Sequence, residues 1–195
     1  MAALPDAAKA AEPGPPGKLP DLKPLASAPQ SMAKARQEML SSLYDQLQKV
    51  QSEEAAALIV SAIERLWSQS GSDTADLLME RAGLAAKAQN YKLATEILSA
   101  LTEIEPRFAE GWNQLATIYF LEDNYFEAMQ RLRQVLAIDP RHFKAIEGLG
   151  IILRETGNKK AALHVTRQAL AINPYLKTAK QAAEELEREV EGQGI

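Results

Sequence analysis

Residues 109–142 read AEGWNQLATIYFLEDNYFEAMQRLRQVLAIDPRH, and this stretch decides the fold. Its first half places Trp112, Leu115, Ala116 and Tyr119 three or four residues apart, the spacing of one buried helical face. Asn124 then stands where a helix start needs a side-chain acceptor, and Tyr125, Ala128 and Leu132 begin a second helical face. Ile138-Asp139-Pro140 closes the unit, because proline lacks the N–H a helix interior requires and disfavours helical geometry in the residue before it. The stretch predicts a helix, a tight turn, a second helix and a stop.

The same punctuation recurs on both sides. Of the ten prolines, seven lie before residue 30, and the other three, Pro106, Pro140 and Pro174, follow one another at intervals of 34 residues. Units 75–108, 109–142 and 143–176 align without a gap. Ala82, Ala116 and Gly150 hold the small position of the first helix; Ala94, Ala128 and Ala162 hold that of the second. Small residues there let the paired helices approach closely. The N-cap position of each second helix reads Asn90, Asn124, Asn158.

These residues resemble the tetratricopeptide repeat, a helix–turn–helix unit of 34 residues that stacks into a solenoid. Trp112, Leu115, Ala116, Tyr119, Tyr125, Ala128, Leu132 and Pro140 stand at the signature positions of that family. Unit 143–176 departs at Ile146 and Lys159, and unit 75–108 at Leu78 and Arg81, where leucine is usual. The resemblance implies an all-α solenoid. Residues 31–74 are expected to form a degenerate N-terminal hairpin, with Ser52 as the N-cap of its second helix and about four extra residues before the next unit. Residues 177–192 are expected to form a capping helix, with Ala179, Ala183, Leu186 and Val190 as its apolar stripe and a glutamate-rich face toward water. Residues 1–30, rich in Ala and Pro, lack any periodicity and are expected to be a disordered linker.

Composition narrows the function classes. A net charge of −4 and the absence of a Lys/Arg run argue against nucleic acid as a partner. With no cysteine, disulfides, thiolate metal sites and thiol nucleophiles are excluded. The sequence has no apolar run of membrane-spanning length. His142 and His164 lack the three or four residue spacing of a helical metal pair, and both are assigned structural or solvent roles. No Gly-x-Ser-x-Gly elbow or phosphate-binding glycine loop occurs. No catalytic residue, metal or cofactor is therefore expected, and the protein is read as a non-enzyme. Trp67 and Trp112 are assigned to packing, and cutting a buried aromatic of that size to alanine costs about 3–5 kcal/mol.

In the resembled family the first helices line a concave groove that holds an extended peptide. The corresponding residues here are Glu110, Asn113, Thr117 and Phe120 in one unit and Lys144, Glu147, Ile151 and Arg154 in the next. Phe120 and Ile151 are the expected apolar anchors, Asn113 the hydrogen-bonding group, and Lys144 and Arg154 the charge selectors. Chaperone-cofactor members grip a terminal carboxylate with lysine, asparagine, asparagine, lysine and arginine. Met79, Gly83, Gln114, Lys144 and Gly148 stand at those positions, so only Lys144 matches. The expected function is a protein-interaction scaffold for a peptide or partner helix, the alternative being a module that pairs with itself through the apolar strip. The Ala/Pro-rich leader resembles that of small bacterial cell-envelope proteins of the family, which implies a periplasmic location; a cytoplasmic one is the alternative.

Overall fold

The computed structural model describes residues 30–191, so the expected linker lies, save Gln30, outside the described residues, as does position 192 of the cap. The described residues form helices and no strand: α1 (Gln30–Leu47), α2 (Glu53–Ser68), α3 (Asp73–Lys87), α4 (Tyr91–Ile104), α5 (Ala109–Leu121), α6 (Tyr125–Ile138), α7 (Phe143–Glu155), α8 (Lys159–Ile172) and α9 (Lys177–Glu191). From α3 to α9 each helix packs against the next in chain order, as a solenoid requires.

The turn inside each unit is built the same way three times. Asn90, Asn124 and Asn158 accept the backbone N–H of Leu93, Glu127 and Ala161. Their own N–H groups reach back to the carbonyls of Ala85, Tyr119 and Leu153 at 2.8–2.9 Å, the long bond that seals a helix C-terminus. That bond needs a left-handed residue before the asparagine, and Gln89 (φ 57°), Asp123 (φ 56°) and Gly157 (φ 80°) supply it. Only the third is the glycine such geometry favours.

The small positions lie where helices approach. Ala82, Ala94, Ala116, Ala128 and Ala162 are buried. A Cβ on Gly150 would stand 2.9 Å from Thr166 Oγ1. The core then runs along the array: Leu98, Leu101, Phe108, Leu115 and Ile118 join units one and two. Leu132, Val135 and Ile152 join two and three, and Leu163, Ala183 and Leu186 join unit three to α9. Trp112 is half-buried between the first two clusters, and its indole N–H donates to the Pro106 carbonyl at 3.0 Å.

The hairpin α1–α2 does not continue the stack. It lies across the turns where second helices end and first helices begin. Tyr44, Leu47, Ala56, Ile63 and Trp67 pack there against Phe143, Ile172, Tyr175 and Leu176. Asp139, in the α6–α7 turn, is the polar centre of this contact. One carboxylate oxygen accepts Arg141 N–H at 3.0 Å and fixes the turn, as Asn173 does for Tyr175 N–H in the next one. The other oxygen accepts the Tyr44 hydroxyl at 2.6 Å and the Trp67 indole N–H at 3.1 Å. Burial first, and the Asp139 carboxylate second, hold the Tyr44 hydroxyl far above its ordinary range, so it remains a donor. Arg141 donates to Asp45 and Ser41, Gln48 to the Ala171 carbonyl, and the Tyr175 hydroxyl to the Val50 carbonyl. His142 is fully buried and stacked on Trp67 with ring centroids 3.8 Å apart, while its Nδ1 caps α7 by accepting Ala145 N–H. Its role is structural, and Trp67 adds a directed hydrogen bond to the expected packing.

Two predictions follow from these turns. Gln89→Gly relieves a left-handed non-glycine residue and raises unfolding free energy by about 1 kcal/mol in urea titration. Asp139→Asn keeps the turn but puts an amide where two donors point, costing about 1–3 kcal/mol. Hydrogen exchange should place that loss in α1 and α2 first.

Candidate functional site

The first helices of successive units lie side by side, so residues one helical face apart on α5 and α7 line a common trough. A cavity of about 210 Å³ opens there between Asn113, Ala116, Thr117 and Phe120 of α5 and Lys144, Gly148, Ile151 and Ile152 of α7, with Leu132 beneath. A second, of about 350 Å³, lies between Glu147, Gly150, Ile151 and Arg154 of α7 and Thr178, Gln181 and Glu185 of α9. Ile151 borders both and is 39% exposed. The two cavities therefore read as one trough across three helices.

Seven of the eight residues read from sequence line this trough: Asn113, Thr117, Phe120, Lys144 and Ile151 the first cavity, Glu147, Ile151 and Arg154 the second. Glu110 lines neither. Its side chain is 13% exposed and sits under the α6–α7 turn, with Oε2 3.5 Å from His142 Nε2. That separation makes it an electrostatic contact rather than a close hydrogen bond. Gln114 donates to Glu110 at 2.7 Å and Asn113 at 3.2 Å.

The polar groups that remain have defined partners. The Asn113 amide nitrogen is held by Glu110, which leaves its carbonyl oxygen to face a ligand as an acceptor. Lys144 pairs with Glu64 of α2 at 2.7 Å, so the docked hairpin forms one bank of the trough. Glu147 accepts the Thr178 hydroxyl, and Arg154 pairs with Glu185 at 3.4 Å. Sequence reasoning missed Glu64, Thr178 and Glu185, because their place depends on how α2 and α9 dock and not on repeat register. Among the described residues no group of three His, Asp or Glu side chains is arranged to hold a metal ion, and no helix is long and apolar enough to cross a membrane.

Comparison with known proteins agrees with this geometry. Residues 109–142 match the tetratricopeptide-repeat family model. A TPR repeat-containing protein of Rhizobium etli is 31% identical over 153 residues, which span 78% of this chain and 75% of the relative. The chain belongs to the tetratricopeptide-repeat family. Among solved structures, the Sgt2 TPR domain from Aspergillus fumigatus is similar with a TM-score of 0.59 at 18% identity, over 63% of this chain and 83% of that one. The first TPR of Spaghetti (RPAP3), bound to the HSP90 peptide SRMEEVD, is similar with a TM-score of 0.58 at 17% identity, over 61% and 94%. At such identities the tetratricopeptide likeness concerns the fold.

Glu110 gives the tetratricopeptide array a measurable acid response. Burial alone would raise its pKa, but the facing His142 imidazole and the Gln114 and Asn113 amides outweigh burial and hold it below the ordinary 4.5. Its contribution to stability is therefore present above about 4.5 and is lost as pH falls through the lower folded value. Urea midpoints of wild type and Glu110→Gln should differ most near neutral pH and converge below pH 4.5.

Proposed function

We propose that the protein is a non-enzymatic interaction module that takes an extended peptide or a partner helix into the trough over α5, α7 and α9. The observation that carries this reading is the cavity between Phe120 and Ile151, apolar on its floor through Ala116, Leu132 and Ile152. At about 210 Å³ it is smaller than the roughly 300–1,000 Å³ of small-molecule sites and suits one apolar side chain of a larger ligand. Such anchors in desolvated pockets carry most of the affinity of a protein interface. The Asn113 carbonyl oxygen, beside that cavity, accepts a ligand N–H.

The acidic terminal peptide named for the RPAP3 neighbour is not the ligand this trough favours. Lys144 stands at a clamp position but faces Glu64, and Gln114 donates to Glu110. The Ala/Pro-rich leader supports a periplasmic location, which cell fractionation of a bacterium carrying the full gene tests. For the trough itself, Phe120→Ala with Ile151→Ser should abolish capture of the partner that wild type retains, with an unchanged circular-dichroism melt. Undiminished capture by this variant contradicts the reading.

A further inference from the structure

The hairpin α1–α2 leaves something uncovered when it turns away from the stack. Repeat register shows what. Each first helix uses two positions seven residues apart to pack on the preceding unit. In α5 these are Gly111, whose Cβ position lies 3.3 Å from Leu101 of α4, and Ile118, which is 3% exposed. In α7 they are Ala145, buried, and Ile152, 1% exposed. In α3 the equivalent residues are Leu77 and Leu84, and they are 47% and 59% exposed. Leucines stand at the positions that bury the array elsewhere, with no unit in front of them.

The opposite end of the array is finished differently. α9 buries Ala179, Ala183 and Leu186 and turns Glu184, Glu185, Arg188 and Glu189 outward. That is the polar outer face a terminal element requires. The α3 end has no such cover, and the hairpin is held away from it by Asp139, Tyr44 and Trp67.

We propose that the open face of α3 is a dimer interface, covered by α3 of a second copy running antiparallel. The charges commit to that occupant. Between the two leucines lies Arg81, at the position where α5 carries the buried Leu115. In an antiparallel pair Leu77 meets Leu84 of the second copy, and Arg81 meets Glu80. Thr74 then falls opposite Lys87, which brings Asp73 within a turn of that ammonium. Asp73, Glu80, Arg81 and Lys87 have no ion-pair or hydrogen-bond partner on their side chains among the described residues, in contrast to Lys144 and Arg154 of the trough. The acidic end of α3 thus faces the basic end of its mate, and one patch serves both copies, as a two-fold interface demands. The groove reading does not enter this argument.

The test is light scattering behind size exclusion on the full chain over a rising concentration series. Wild type should move toward twice the chain mass. Leu84→Glu and Leu77→Glu, at exposed positions that leave the melt unchanged, should stay at one chain mass. Ile151→Glu, in the trough, should dimerise like wild type. Because the chain has no cysteine, Arg81→Cys gives a single thiol, and a short thiol-to-thiol reagent should link two copies through it. A wild type that remains one chain at every concentration overturns the proposal and leaves the face to a foreign helix. Dimerisation lost in Ile151→Glu but kept in Leu84→Glu also overturns it, and moves self-association to the trough.

Discussion

A helical hairpin of this length cannot bury its own apolar face and must borrow a surface from the next one. That nearest-neighbour constraint organises the molecule from α3 to α9. It sets the small residues at Ala82, Ala116 and Gly150, where helices of one unit touch, and the large ones at Leu101, Leu115, Leu132 and Ile152, where units touch. It also puts equivalent residues of successive first helices on one wall, which is how Phe120 and Ile151 come to share a cavity. The same constraint makes the two ends of the array unequal, since α9 covers one and nothing in the described chain covers the other.

The hairpin α1–α2 obeys a different rule. Its apolar face finds the turns between units, and one carboxylate makes that choice specific. Glu105, Asp139 and Asn173 hold equivalent positions, yet only Asp139 offers a short side chain with a second acceptor oxygen after fixing its own turn. The hydroxyl of Tyr44 and the indole of Trp67 converge on that oxygen from two helices. Buried donors that share one charged acceptor are costly to leave unpaired, which is why a small polar cluster fixes the position of a whole hairpin. Its placement then reaches the trough through Glu64 and Lys144.

Much of this was legible in the sequence, for a physical reason. Caps, small contacts and stops are local devices, and repetition at 34 residues shows them three times over: Asn90, Asn124 and Asn158 cap the helices expected of them. The apolar stripe of the last helix was equally plain, and Ala179, Ala183 and Leu186 are buried. The docking of α1–α2 was not legible. Tyr44 and Trp67 lie 95 and 72 residues from Asp139, and each taken alone reads as ordinary packing. The trace in the sequence was the insertion before Asp73, which breaks register and releases the hairpin from the stack. Glu110 shows the same limit. Repeat register places it beside Lys144 on the groove wall, and only the buried ring of His142, in the following turn, draws it under the edge.

The most direct test of this architecture is a set of nuclear Overhauser contacts from the two faces of α2. Cross-peaks from the Trp67 indole to the rings of Tyr44 and Phe143, with none from α2 to the methyls of Leu77 or Leu84, are the expected result. Contacts from α2 to the Leu84 methyls, with those to Phe143 missing, would mean that the hairpin is stacked as a further repeat and would contradict the account.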